Sequence, residues 1–253
     1  MTSGNKLRIV GVIPARMNSE RLPGKVLRSL AGRAMLHHVY DGARACPLLN
    51  EFLVATDAEA VRAYCTQHQI PVLMTSPDHR SGTERIHEVM QRISGDVFVN
   101  LQADEPLVGV DHVQLLIDPF LAEETTQVST LKVPLDVMAA ANPNVVKVVT
   151  DRRGRALYFS RAPIPYRRDP ASSPPYYKHL GLYGYRREAL ARYFQMAPSQ
   201  LEQAERLEQM RFLENGIPIQ VMETARDTIG VDTEEDWAAV SRLLESGPPS
   251  VAG

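Results

Sequence analysis

The feature that most limits how this chain can fold lies near its start. A short β-branched run there ends at a stretch that can continue neither as strand nor as helix. Residues 8–25 read RIVGVIPARMNSERLPGK. Ile9, Val10, Val12 and Ile13 suit a buried strand. Pro14, Pro23 and Gly24 break any helix that would follow, and Asn18 and Ser19 favour turns. Into this loop fall three cations, Arg16, Arg21 and Lys25. Most loops with arginine and lysine are simply solvated. At the carboxyl end of a first strand, however, open α/β sheets bind ligands. Three cations there point to a polyanion, a triphosphate foremost. A Walker-type phosphate loop is excluded, because Val26 follows Gly24-Lys25 and Ser19 stands where the first glycine belongs.

Further along, short apolar runs alternate with helical spacings. Residues 34–45 carry Met35, Leu36, Val39 and Ala43 on one helical face, and Pro47 ends the segment. Residues 52–56 (FLVAT) read as a second strand, with Asp57 as cap for a helix over 59–67. Residues 72–74 form a third strand. Residues 76–85 (SPDHRSGTER) are a polar loop entering a helix whose inward face is Ile86, Val89, Met90 and Ile93. A fourth strand, 97–101, runs directly into Gln102-Ala103-Asp104-Glu105-Pro106. This alternation predicts an α/β fold with an open, mostly parallel sheet.

The second half changes character. Strands are expected at 127–133, 145–150, 156–160 and 179–186, with a hairpin turn at 151–154. Residues 161–175 are too rich in proline for regular structure. Helices follow at 187–195 and 202–215, the latter closed by Gly216. Ala204, Leu207, Met210 and Leu213 are its expected core stripe, with Glu208 and Gln209 off centre. A last strand over 219–222 and a helix over 234–244, capped by Thr233, complete the chain.

At 253 residues and a net charge of −2, the chain can bury a full core and has no basic field that would argue for nucleic acid. The amino-terminal MTSGNKLR lacks an apolar leader region, and no run approaches the ~18 apolar residues of a membrane span. Cys46 and Cys65 lack metal-ligand spacing and read as buried thiols of a reducing compartment. A cytoplasmic protein without membrane contact is the expectation. The expected division is one domain over 1–246, with a core of about 7–125, a β-rich lobe of about 126–225 and a closing loop and helix over 226–246. Residues 247–253 are expected to be a flexible tail.

Two further places can carry chemistry. Ser81-Gly82-Thr83 at a helix start is, taken alone, a routine cap, but it also offers N–H groups to an anion. Beside the first loop, a joint nucleotide pocket is the better reading, with Arg85 on a phosphate or a base edge. Asp104 and Glu105 directly after a buried strand are either a cap with a surface acid or a divalent-metal site. An anion beside a triphosphate implies a metal between them. Asp232, in the sequence IGVDT, is the best second carboxylate, although spacing alone would make it a helix-capping residue.

The first loop resembles the PARxxSxRxPGK signature of cytidylyltransferases that activate acidic sugars. After it come, in order, SGTER at 81–85, QADEP at 102–106, NPNVVKVV at 142–149, ALYFSRAPIP at 156–165, HLGLYGYR at 179–186, LEQMR at 207–211 and GVDT at 230–233. Together they resemble the 3-deoxy-manno-octulosonate (Kdo) cytidylyltransferase family from about residue 7 to residue 244. The resemblance implies a Rossmann-like sheet with a smaller β-rich sugar-binding and dimerisation lobe, and a homodimer. It implies CTP and a 3-deoxy-2-ulosonic acid as substrates, Mg²⁺ as cofactor, and a product used for lipopolysaccharide. Arg16, Arg21 and Lys25 then match the triphosphate loop. Ser81, Gly82, Arg85 and Gln102 match nucleotide contacts, and Asp104 and Asp232 match the metal carboxylates. Arg161, His179, Tyr183, Glu208 and Gln209 match the sugar-acid site. Arg21, Lys25, Asp104 and Asp232 carry the catalytic expectation. One departure stands out: Ala103 occupies a position where the family has glycine. Related acids such as 8-amino-Kdo or a sialic acid remain alternative substrates, and a non-catalytic nucleotide-binding regulator is the alternative of another class.

Overall fold

The computed structural model describes residues 7–17, 19, 21–169, 171 and 175–246. Asn18 and the expected tail at 247–253 lie outside the described residues. The chain forms two compact units, one of Arg8–Val113 with the segment from Thr228 onward, the other of Gln114–Asp227.

In the first unit, strand β1 (Ile9–Ala15) is buried at all seven positions. A strand covered on both faces belongs at the centre of a parallel sheet. A two-residue hairpin, β2 (Ser29–Leu30) and β3 (Arg33–Ala34), precedes helix α1 (Met35–Ala43), whose buried face is Met35, Leu36, Val39 and Ala43 as the spacing predicts. Then come β4 (Glu51–Thr56), α2 (Glu59–Gln67), β5 (Val72–Met74), α3 (Gly82–Arg92) and β6 (Val97–Asn100). β1 pairs in parallel with β4 and with β6, and β4 with β5, giving the order β6-β1-β4-β5. All four strands therefore open their loops at one carboxyl edge, where ligands of such sheets bind. Gly42 in α1 lets that helix pack on the chain beyond β6: a Cβ there would lie 2.1 Å from the carbonyl oxygen of Val108.

Helix α4 (Val110–Ala122) carries the chain into the second unit. There β7 (Val128–Leu135) pairs antiparallel with β10 (Tyr176–Arg186) and parallel with β11 (Ile219–Glu223). Between them in sequence, β8 (Lys147–Thr150) and β9 (Ala156–Ser160) form a hairpin through the turn at Gly154, whose φ of +75° suits glycine. β10 starts three residues earlier than expected, because Tyr176–Lys178 continue the ladder with β7, and its register shifts between Leu180 and Tyr183. Helix α5 (Arg187–Tyr193) follows β10 directly.

The helix expected over 202–215 is two helices, α6 (Gln200–Glu205) and α7 (Met210–Glu214). Arg206 between them has φ +53°, a left-handed conformation that ends α6. Of the expected stripe, Leu207 and Met210 are buried, Leu213 is half-buried and Ala204 is exposed. Ser199 and Glu202 close a capping box, and Glu202 also takes Arg211 through two bonds of 2.7 and 2.5 Å. These contacts fix a bend where the periodicity alone reads straight through. Finally the chain returns to the first unit, where Thr233 and Asp236 form the capping box of α8 (Glu234–Glu245).

Candidate active site

The loop after β1, the turn after β6 and the loop before α8 meet in the first unit around one lysine. Lys25 opens a 3₁₀ turn behind Gly24, whose φ is +69°. Its Nζ donates to Asp104 Oδ2 at 2.7 Å, to the Val231 carbonyl at 2.8 Å and to Asp232 Oδ1 at 2.9 Å. Arg21, largely exposed, reaches the other oxygen of Asp232 at 2.7 Å. The Val231 amide donates to the Asp104 carbonyl at 2.8 Å, so the two carboxylate-bearing loops are tied by backbone as well. Burial works against the charged form of Lys25. The attraction and hydrogen bonds of Asp104 and Asp232 outweigh it and raise the ammonium above its ordinary value.

The two carboxylates after β6 part company. Asp104 turns to Lys25, whereas Glu105 is buried and accepts from the Thr228 hydroxyl at 2.6 Å. That bond fastens the loop leading to Asp232 onto the turn carrying Asp104. Asp232 is not a helix cap, since Thr233 and Asp236 perform that task. Ala103 is buried and its backbone lies outside the left-handed region, so the methyl group is accommodated without strain of that kind.

Around this cluster the other expected nucleotide residues are arranged unequally. Arg16 is exposed at the end of β1, and Gln102 is half-buried. Ser81 caps α3 by accepting from the Glu84 amide at 3.3 Å. Gly82 sits so close to β1 that a Cβ would lie 3.1 Å from Pro14 Cγ, with Gln102 Oε1 at 3.9 Å. The N-terminus of α3 is thus packed on the ends of β1 and β6. Arg85 is buried, bonded to Thr75 Oγ1 and 3.3 Å from Asp57 Oδ1. Burial lowers its pKa, opposed by Asp57 and Glu88. Asp57 therefore does not cap α2: Ala58 is the residue at that position, and no side chain caps it. Its carboxylate is drawn to Arg85 instead.

The second unit carries the expected sugar residues just after β9, on β10 and on the α6–α7 connector. Arg161 Nε donates to the Glu205 carbonyl at 2.9 Å and Nη1 to the Pro143 carbonyl at 3.1 Å. Both acceptors are neutral carbonyls. The Glu205 carboxylate takes Ser160 Oγ at 2.6 Å and the Arg161 amide at 2.9 Å. Lys147, fully buried, donates to the carbonyls of Asn142 at 3.0 Å, Val145 at 2.6 Å and Arg161 at 2.5 Å. Burial, with Arg161 nearby, lowers its pKa. His179 is buried, and burial together with Lys178 pushes its pKa down to about 3. Its Nε2 lies 3.0 Å from Thr130 Oγ1, which is also within hydrogen-bond reach of the Leu180 carbonyl at 3.2 Å and the Leu182 carbonyl at 2.8 Å. Phe159, His179, Tyr183 and Tyr185 follow one another at centroid distances of 4.8, 5.5 and 5.5 Å. Gln209 is buried, and its Nε2 has no hydrogen-bond partner among the described residues, whereas Glu208 is exposed.

Thr228, Glu205 and Lys147 also shape these sites and lie outside the residues expected from the sequence. Only Lys147 left a signal, as a charged residue inside the apolar run NVVKVV.

Cations and paired carboxylates at the carboxyl edge of a parallel sheet suit a nucleotide's phosphates, and the proteins this chain resembles are nucleotidyltransferases. A family model described as cytidylyltransferase matches residues 10–223. Proteins named 3-deoxy-manno-octulosonate cytidylyltransferase from Koribacter versatilis and Acidobacterium capsulatum are 50% and 53% identical over 240 residues. Each alignment covers 95% of this chain, and 91% and 98% of the respective relative. The solved structure of CMP:2-keto-3-deoxy-manno-octonic acid synthetase complexed with CTP matches with a TM-score of 0.91 at 42% identity, over 94% of this chain and 99% of its own. A putative glucose-1-phosphate thymidylyltransferase from Bacillus anthracis, 15% identical with a TM-score of 0.68 over 93% of this chain and 94% of its own, shares the fold alone. The chain belongs to the 3-deoxy-manno-octulosonate cytidylyltransferase family.

Proposed function

We propose that this enzyme transfers CMP from CTP to the anomeric hydroxyl of Kdo, giving CMP-Kdo and pyrophosphate. The observation that carries the reading is its near full-length identity to relatives of that name. One O–P bond forms at the α-phosphorus, the bond to pyrophosphate breaks, and the hydroxyl proton passes to water. The obstacle is the approach of an acidic sugar to a polyanionic nucleotide. Arg16, Arg21 and Lys25 spread the charge of the triphosphate and of the departing pyrophosphate. Ser81, Gly82, Arg85 and Gln102 hold the nucleotide. In the second unit Arg161 meets the sugar carboxylate, for which its planar guanidinium is suited. Neutral His179, Tyr183, Glu208 and the Gln209 amide, whose Nε2 has no hydrogen-bond partner among the described residues, serve the sugar's hydroxyls.

The donor set fits Mg²⁺. Asp104 and Asp232 supply hard oxygen ligands from two loops and already share one cation, Lys25 Nζ. Among the described residues no group of three or more His, Cys, Asp and Glu could hold a metal. A phosphate-bound Mg²⁺ needs only one or two protein carboxylates. When bound, it supplies Lewis-acid polarisation of the reacting phosphoryl group. By the same family resemblance the product enters lipopolysaccharide synthesis, and the enzyme acts as a cytoplasmic homodimer. None of the helices among the described residues is long and apolar enough to cross a membrane.

Pyrophosphate release from CTP, Mg²⁺ and Kdo tests the assignment. Asp104→Asn and Asp232→Asn should each lower turnover on the order of a hundredfold in protein that circular dichroism shows to be folded. Near-normal turnover in both variants would remove the two carboxylates from the reaction.

A further inference from the structure

Lys25 sits on the same two carboxylates that the proposed reading gives to the divalent cation. An ammonium has three protons, and all three are engaged, by Asp104 Oδ2, Val231 O and Asp232 Oδ1. Its side chain is 8% exposed. Arg21 holds the remaining oxygen of Asp232 at 2.7 Å. Two carboxylates thus face two cations, and their formal charges cancel.

Two consequences follow from this geometry. First, Lys25 has no proton to offer a phosphate while it stays where it is, so contact with the triphosphate requires it to leave at least one carboxylate. Second, a divalent cation arriving alone finds its carboxylates already neutralised, with an ammonium against the oxygens it needs. The cost of that encounter is high in a partly buried site. A triphosphate offers both cations new acceptors. The lysine stem, four methylenes long, can swing between the two sets without moving the backbone turn that carries it.

We propose that Lys25 is a resident counter-ion that makes cation binding at Asp104 and Asp232 conditional on the nucleotide. The triphosphate draws Lys25, and with it Arg21, off the carboxylates, and the pair then opens to the divalent cation. Without nucleotide the lysine keeps the two acidic loops together, in place of the metal. Linkage makes the effect reciprocal: the cation raises the affinity for CTP by the factor by which CTP raises the affinity for the cation. The inference rests on the proposed role of Asp104 and Asp232 as metal ligands.

The test is a titration of the nucleotide-free protein with Mn²⁺, reading unbound Mn²⁺ by electron paramagnetic resonance. Wild type should bind weakly. Lys25→Gln and Lys25→Met should bind at least roughly tenfold more tightly, and Lys25→Arg, which keeps a cation there, should remain near wild type. Asp232→Asn in the Lys25→Gln background should abolish the gain. Arg21→Gln, at an exposed position where folding is not at risk, should give a smaller gain in the same direction. Wild-type affinity in the folded Lys25→Gln and Lys25→Met proteins would overturn the inference. If those variants do not fold, an unchanged or weaker affinity in Arg21→Gln overturns it. Failure of the underlying reading looks different: Mn²⁺ binding in the presence of CTP would then be insensitive to Asp104→Asn and Asp232→Asn.

Discussion

Acidification should destabilise this protein through His179 by an amount that can be worked out beforehand. The ring is buried on β10, and burial, reinforced by Lys178, lowers its pKa to about 3. In the unfolded chain the same imidazole titrates near its ordinary value of about 6.5. The folded pKa lies below the unfolded one, so as pH falls the unfolded state takes up the proton first. The contribution to stability is therefore fully present above pH 6.5 and is lost as pH falls towards the folded value. Between pH 7 and pH 5 the folded ring stays neutral while the unfolded ring becomes protonated, a loss of about 2 kcal/mol. This figure does not depend on the exact folded value, because pH 5 lies well above it. His37 and His87 are also lowered by burial, so the wild type should lose more than this one share. Comparison with His179→Gln isolates the term. Urea unfolding at the two pH values should show the variant losing about 2 kcal/mol less than wild type on acidification, whatever its stability at pH 7. Equal losses in the two proteins would refute a buried neutral imidazole. They would also remove the basis for treating His179 as an uncharged hydrogen-bonding group in the sugar site.

Two other perturbations follow from the site. Arg28 joins the turn of Lys25 to the start of α8 through two bonds to Glu234, at 2.6 and 3.0 Å, and lies 4.2 Å over the Trp237 ring. Arg28→Glu should lower kcat/KM for CTP by roughly tenfold by displacing Asp232, and the reversed pair Arg28→Glu with Glu234→Arg should recover most of it in steady-state kinetics. Ala103→Gly should leave turnover unchanged and cost about 0.4–1 kcal/mol of stability, read by thermal melting, because the backbone there does not need a glycine.

The parallel sheet was legible because its strands are short β-branched runs, and both faces of β1 are buried as such a run implies. The interruption at Arg206 was not. Leu207, Met210 and Leu213 continue a helical spacing, and no glycine or proline marks the left-handed residue. Helix α4 went unread as well: Pro119 lies inside it, and a proline argues against a helix interior when only local rules are used. At the site, the cationic loop and the acidic turn could be found from the chain, since charge after a buried strand is a local signal. Which carboxylate faces inward was not local. Asp104 and Glu105 are neighbours, and only Lys25 and Thr228, both distant in sequence, give them different tasks. Asp57 shows the same limit: it stands where a helix cap is expected, and Arg85, 28 positions on, claims its carboxylate.

The most direct measurement is pyrophosphate release by the purified protein with CTP and Mg²⁺, comparing Kdo, 8-amino-Kdo and N-acetylneuraminate in parallel. Rapid release with Kdo and little with either of the others is the expected result. Equal or faster release with another acid would contradict the assigned substrate. Absence of release with all three, from protein that binds CTP, would contradict the reaction itself.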